Sequence, residues 1–85
     1  MEKMINEMKE ELLGKELTLL EMDNAAMGIT GATEGVFDYL NDCLEQHSVA
    51  YSIAENKNIV VEFEIIADDE DKTEATVKVT DVWED

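Results

Sequence analysis

The spacing of apolar residues changes near residue 48, and this change constrains the fold more than any other feature of the sequence. Before that point apolar residues recur at helical spacing, and after it they alternate with polar residues as in half-buried strands. The 85 residues contain no proline, and no repeat or linker divides them. The sequence therefore predicts one α+β domain over residues 1–85, with N-terminal helices packed on a C-terminal sheet in two layers.

Two segments carry apolar stripes at helical spacing and predict helices. The first spans residues 2–13 and ends before Gly14, because glycine commonly terminates helices. The other carries its stripe over residues 36–47, and Thr33 is the predicted N-cap of the helix that contains this stripe, since a threonine hydroxyl accepts a hydrogen bond from an early backbone N–H group. The stripes are Met4, Ile5, Met8 and Leu12 in the first segment, and Val36, Phe37, Leu40, Cys43, Leu44 and His47 in the other.

The intervening stretch TLLEMDNAAMG, residues 18–28, allows two interpretations. Thr18 and Glu21 match a capping box, in which each side chain bonds to the backbone of the other, so a short helix at about residues 19–27 is preferred. Gly28 would end this helix. A strand across ELTLLEM, residues 16–22, is the alternative, and the sequence leaves open whether residues 17–23 are helix or strand.

Three segments after residue 48 alternate between apolar and polar residues and predict three strands. The connectors ENKN (55–58) and DDEDK (68–72) are short enough for hairpins, so the predicted sheet is a three-stranded antiparallel meander. The alternation fails at Asp81, Val82 and Trp83, where we expect the last strand to end or to bulge. The predicted core is Phe37, Leu40, Leu44, Val61, Phe63, Ile65, Val77 and Val79.

The formal net charge of −16, from 22 acidic residues against six lysines and no arginine, limits the partners of the chain. Such a surface repels nucleic acid and anionic lipid, so no direct nucleic-acid or membrane binding is expected. A macromolecule attracted by charge would be a basic protein. A single cysteine excludes an internal disulfide, which fits a cytoplasmic location. The N-terminus does not match a signal peptide, and no apolar run approaches the roughly 20 residues of a membrane span.

The negative charge is unevenly distributed along the chain. Residues 1–17 sum to −2, from five acidic residues and three lysines, whereas residues 18–56 hold seven acidic residues and no lysine. The first helix is therefore nearly balanced, and it carries methionines, which suit adaptable binding surfaces; core packing remains the preferred interpretation of Met4 and Met8. The candidate partner-binding residues are Met4, Met8, Asp38, Asp42, Glu45, Glu62 and Glu64.

Three features invite a chemical interpretation, and each is better explained structurally. His47 and Cys43 lie one turn apart, but a structural zinc site needs four ligands and no second pair exists. Acidic neighbours disfavour a reactive Cys43 thiolate, and His47 lacks a positioned partner for general-base chemistry. The run DDEDKTE, residues 68–74, lacks the central glycine of a calcium loop and is interpreted as a solvated hairpin tip. No metal and no cofactor are expected.

The two ends of the chain carry a further pattern. GKELTLLEMDN (14–24) and VKVTDVWED (77–85) resemble segments of small acidic proteins of bacterial mobile elements and phages, a group without a characterised activity. The resemblance implies an accessory role rather than a metabolic one, and it assigns no site residue.

Two hypotheses for function follow. The leading one is a small non-catalytic acidic protein that binds a basic protein partner. The alternative is a nucleic-acid mimic whose carboxylates occupy the basic groove of a nucleic-acid-binding protein. An enzyme is not expected, because the chain lacks a phosphate loop, a nucleophile elbow and a zinc-protease helix. An interaction module should expose an apolar patch rimmed by polar groups, whereas a mimic should present one continuous face of carboxylates.

Overall fold

The computed structural model describes residues 2–85 and shows an α+β fold with a four-stranded antiparallel sheet. The strand order across the sheet is β1-β4-β3-β2. In chain order the elements are α1 (Glu2–Leu12), β1 (Glu16–Thr18), α2 (Leu19–Thr30), a 3-10 turn (Val36–Asp38), α3 (Leu40–Gln46), β2 (Ser48–Ala54), β3 (Lys57–Ala67), a second 3-10 turn (Lys72–Glu74) and β4 (Thr76–Glu84).

The predicted meander is confirmed for β2, β3 and β4, but the prediction of a three-stranded sheet was wrong. The fourth strand, β1, pairs antiparallel with β4 at the edge opposite β2. It follows α1 after a three-residue turn, in which Gly14 adopts a left-handed conformation (φ 79°) and its N–H group donates to the Val79 carbonyl oxygen at 2.8 Å. Three residues are too few for an alternating pattern to be recognised, so only pairing with β4 defines this strand.

Both interpretations of residues 16–28 hold in part. Residues 16–18 form β1, and the helix begins immediately afterwards at Leu19. The predicted capping box is present: the Glu21 N–H group donates to the Thr18 hydroxyl at 3.1 Å, and the Thr18 N–H group donates to the Glu21 carboxylate at 2.9 Å. The predicted end at Gly28 was wrong. The helix continues to Thr30 and ends at Gly31, whose left-handed conformation (φ 74°) supplies the C-cap.

The predicted helix over residues 36–47 is interrupted. A 3-10 turn at residues 36–38 is followed by Tyr39 with φ −138° and ψ 42°, which is not a helical conformation, and only then does α3 begin. Thr33 is not the N-cap, because Gly35 precedes the turn and its N–H group donates to the Asp38 carboxylate at 2.8 Å. His47 ends α3 in a left-handed conformation (φ 58°) and is exposed rather than part of the apolar stripe.

The expected irregularity in the last strand is confirmed as a bulge, and β4 continues beyond it. The pairing register between β3 and β4 shifts at Glu62 and Phe63, and Glu62 then pairs with Asp81. The extra residue restores the inward direction of Val82, which is buried, and turns Trp83 to the opposite face, where it pairs with Val60.

One core cluster joins buried side chains of α1, α2 and α3 with buried side chains of β2, β3 and β4. Four of the eight predicted core residues, Val61, Phe63, Val77 and Val79, are buried, while Phe37, Leu40, Leu44 and Ile65 are half-buried and pack against the core. Helices α1 and α2 and strand β2 contribute more than the sequence predicted. The largest additional buried side chains are Tyr51, Met8, Leu12, Leu19, Met22, Ile59, Val36 and Val82.

We predict that Phe63→Ala lowers the free energy of unfolding by about 3–5 kcal/mol, because a 1 % exposed ring would be replaced by a cavity. Chemical denaturation measures the change. The control is Ile66→Ala, three residues along the same strand and 48 % exposed, which should change stability by less than about 0.5 kcal/mol. Equal losses in the two variants would contradict this core.

A second prediction tests the capping box. Thr18→Ala removes the hydroxyl that accepts from Glu21 N–H and should destabilise the domain by about 0.5–2 kcal/mol. Thr33→Ala is the matched control, since Thr33 is exposed and does not cap a helix. Thermal unfolding of both variants separates a capping effect from a general effect of losing a threonine.

Candidate functional site

The residues proposed from sequence as partner-binding lie in three places. On α1, Met8 is fully buried in the core and is not available to a partner, which confirms its interpretation as a packing residue. Met4 is half-buried beside a shallow depression of about 250 Å³, which Lys3, Glu7 and Ile29 also line. The methionine face of α1 is therefore mostly used in folding.

The second group surrounds α3. Asp38, Asp42 and Glu45 are all exposed, but Asp38 is occupied locally by its bond to the Gly35 N–H group. Asp42 lies in the first turn of α3 and lines a groove of about 270 Å³ between this helix and β2. Tyr39, which is 52 % exposed, lines the same groove, and its hydroxyl donates to Glu34 at 3.1 Å.

The third group lies on the face of the sheet that carries the exposed residues of β3, which we call the open face. Glu62 and Glu64 alternate along β3 with buried residues and are exposed there. Glu62 accepts a hydrogen bond of 2.7 Å from the Thr80 hydroxyl. Lys78 pairs with both Glu64 and Glu16, so one positive charge interrupts the carboxylates.

A small apolar patch crosses the open face beside these carboxylates. Ala50 pairs with Val60, and Val60 pairs with Trp83, so the three side chains form one row across β2, β3 and β4. Trp83 is 37 % exposed and covers Val60, which is only 8 % exposed. The neighbouring row contains Ser48, Glu62 and Asp81. The patch is thus rimmed by polar and acidic side chains.

The buried polar centre of the molecule was missed in the sequence analysis. Asp23 is 5 % exposed, and its Oδ1 atom accepts from the Val36 N–H group at 2.9 Å and from the Tyr51 hydroxyl at 2.7 Å. Burial, followed by the charge of Asp23 and the hydrogen bond to it, raises the pKa of Tyr51, so the phenol stays protonated and donates. The sequence did contain a signal for this burial, because Asp23 lies at helical spacing from Leu19 and Ala26, which are buried on the same side of α2.

Cys43 is buried in α3, and His47 lies at the C-terminal end of the same helix. Burial, with smaller contributions from Asp23 and Asp42, raises the pKa of the Cys43 thiol and disfavours the nucleophilic thiolate. His47 is exposed at the C-terminal end of α3. Over residues 2–85, no group of three or more histidine, cysteine or acidic side chains is arranged to hold a metal ion.

The acidic connection between β3 and β4 is organised by its own hydrogen bonds. Asp71 accepts from both the N–H group and the hydroxyl of Thr73, and Lys72 forms an ion pair of 2.6 Å with Asp68. These bonds lower the pKa of Asp68 and of Asp71. The segment is therefore a structured hairpin connection whose carboxylates are partly satisfied locally.

Comparisons with known proteins add no assignment. No protein-family model matches the chain, and no curated protein or solved structure is significantly similar to it. Among the helices in the described part of the chain, none is long and apolar enough to cross a membrane.

We predict opposite effects for substitutions at two glycines, Gly35 beside Asp23 and Gly28 within α2. A Cβ atom at Gly35 would overlap the Asp23 carboxylate and stand 2.8 Å from Met27 Sδ, so Gly35→Ala should destabilise the domain by about 1–3 kcal/mol. Gly28 is helical with no neighbour within 4 Å of an added Cβ, so Gly28→Ala should stabilise by about 0.5–1 kcal/mol. Denaturant unfolding measures both; a stabilising Gly35→Ala would contradict the close packing around Asp23.

Proposed function

We propose that this protein is a non-catalytic interaction module that binds a positively charged protein partner. The observation that carries the proposal is the exposure of its acidic residues: every acidic side chain except that of Asp23 is exposed. Only one ion pair, between Lys72 and Asp68, neutralises any of this charge among the residues described. Accumulated negative charge destabilises a compact domain, and a basic partner would relieve that repulsion on binding.

The arrangement of the sheet supports an interaction module. We infer the two-layer organisation expected from the sequence, in which the helices cover one face of the sheet and leave the other open. The row of Ala50, Val60 and Trp83 then offers an apolar anchor, and Glu62 and Asp81 lie in the adjacent row. An aromatic anchor within a polar rim is the usual composition of a protein-binding surface.

Nucleic-acid mimicry receives less support and remains the alternative. Lys78 lies between Glu16 and Glu64 on the open face. The row of Ala50, Val60 and Trp83 contains no carboxylate. The open face is therefore not a continuous array of negative charge. The buried, high-pKa Cys43 thiol fits a reducing compartment, and we propose a cytoplasmic location. The segments that resemble mobile-element proteins favour an accessory role there.

The proposal predicts salt-dependent capture of basic proteins. The immobilised chain is incubated with an extract of its native host in about 0.1 M and about 1 M NaCl, where the Debye length is about 10 Å and about 3 Å. The proteins identified by mass spectrometry should have basic isoelectric points and should be lost at high salt. Retention of acidic proteins, or capture that does not depend on salt, would contradict the proposal and direct attention to the apolar surface near Met4.

Added double-stranded DNA separates the two hypotheses. A mimic occupies the nucleic-acid groove of its partner, so DNA should displace the chain from that partner. An interaction module that binds elsewhere should be retained when DNA is present, at the same ionic strength. Displacement by DNA together with a nucleic-acid-binding partner would favour mimicry.

A further inference from the structure

The two edges of the sheet differ in length and in charge. Edge strands present unpaired backbone N–H and C=O groups, which natural proteins protect with short strands, charges, proline or bulges. β1 is protected in this way, because it has three residues and includes Glu16. β2 has seven residues, SVAYSIA, with no charge and no proline, and its only pairing irregularity lies at its end, between Ser52 and Ala54. Within residues 2–85, no further strand pairs with β2.

The hydrogen bonding between β2 and β3 determines which backbone groups face the unpaired side. The Phe63 N–H group donates to the His47 carbonyl oxygen at 2.9 Å, and bonded pairs alternate along an antiparallel ladder. Val49 and Tyr51 therefore bond to β3, and the residues between them direct their N–H and C=O groups outward. The residues with outward-directed groups are Ser48, Ala50 and Ser52.

The groove between α3 and β2 runs beside these groups. Tyr39 and Asp42 line it on the helix side, and Ser48 and Ala50 line it on the strand side. A carboxylate attracts an ammonium or guanidinium group, and the face of an exposed tyrosine ring adds a cation–π attraction. On the other side of β2, Glu62 pairs with Ser48 and projects from the open face. A segment bound along β2 would therefore meet an acidic group on each face of the sheet, Asp42 on one and Glu62 on the other.

We propose that the free edge of β2 binds an extended, lysine- or arginine-containing segment of the partner protein as a fifth strand of the sheet. Backbone hydrogen bonds to Ser48, Ala50 and Ser52 would supply affinity, and basic side chains beside Tyr39 and Asp42 would supply specificity. This proposal rests on the proposed function and deepens it, because it names the surface and the form of the partner.

A second copy of the chain is a poorer occupant of the same edge. Pairing two β2 strands would bring together two domains with a net charge of −16 each, and the Asp42 carboxylates of both would lie near the shared edge. Like charges at close range oppose association, whereas a basic segment is attracted. Charge complementarity therefore selects the partner.

The test uses the full chain and a peptide as long as β2, seven residues of alternating lysine and threonine. Two further peptides carry N-methyl groups on one or the other set of alternating residues, because N-methylation removes a backbone donor. Only one set faces β2, so one methylated peptide should bind at least about tenfold more weakly than the other. In NMR titrations the amides of Ser48, Ala50 and Ser52 should shift. Their hydrogen exchange should slow by about tenfold when free peptide is about ten times its dissociation constant.

Two variants test the site from the side of the protein. Ala50→Pro removes an outward N–H group without removing a bond to β3, and proline is tolerated in edge strands. It should weaken peptide binding by about tenfold or more. Asp42→Asn combined with Glu62→Gln should weaken binding more than Asp69→Asn combined with Glu70→Gln, which removes the same charge at the exposed β3–β4 connection. Circular dichroism verifies folding, and the charge variants test the site if Ala50→Pro does not fold.

Several outcomes would overturn the proposal. These are no binding of the lysine peptide, equal binding of the two methylated peptides, shifts centred on Trp83 instead of β2, or equal losses in the two charge variants. Concentration-dependent self-association that Ala50→Pro abolishes would assign the edge to a second copy. In a further outcome, the folded Ala50→Pro variant captures basic host proteins as well as the original chain does, and in the same salt-dependent way. That result would overturn the edge site and leave the proposed function standing.

Discussion

The buried carboxylate of Asp23 is the contact on which the arrangement of the rest of the molecule depends. Its Oδ1 atom joins α2 to the 3-10 turn through the Val36 N–H group and to β2 through the Tyr51 hydroxyl. A buried carboxylate without hydrogen-bond donors would cost several kcal/mol, so these two donors must stay in place whenever the domain is folded. Gly35 is required by the same contact, because a larger residue would occupy the space that the carboxylate fills.

The segment that begins at Val36, a partner of Asp23, also forms the surface beside β2. The segment from residue 36 to residue 46 does not form one helix: the Val36 N–H group donates to Asp23, and the chain turns at Tyr39 before α3 begins. The turn leaves the Tyr39 ring exposed and places Asp42 next to the first residues of β2. The groove that we propose as a peptide site is therefore lined by residues of the segment that the Asp23 network contacts at Val36.

Charge and core have separate roles in this small domain. The core joins residues of the helices and of the strands through apolar contacts, while nearly all of the acidic groups face water and few are paired. The uncharged edge of β2 is an exception within this surface, and edge strands that lack protection tend to pair with other chains. A basic partner strand would satisfy the backbone groups of the edge and the surrounding charge together, which joins the proposed function to the proposed site.

The sequence by itself determined the fold class, the meander, the bulge near Asp81 and the capping box at Thr18, because periodicity and capping are properties of residues that are close along the chain. It also placed Asp42 and Glu62 among the acidic candidates, but not on either side of one strand edge. The tertiary structure alone decided β1, the interruption at Tyr39 and the end of α2 at Gly31, since each depends on a partner distant in sequence or on a backbone conformation that pattern does not specify. Asp23 shows the reason most clearly, because its burial is favourable only through hydrogen bonds from Val36 and Tyr51, 13 and 28 residues away.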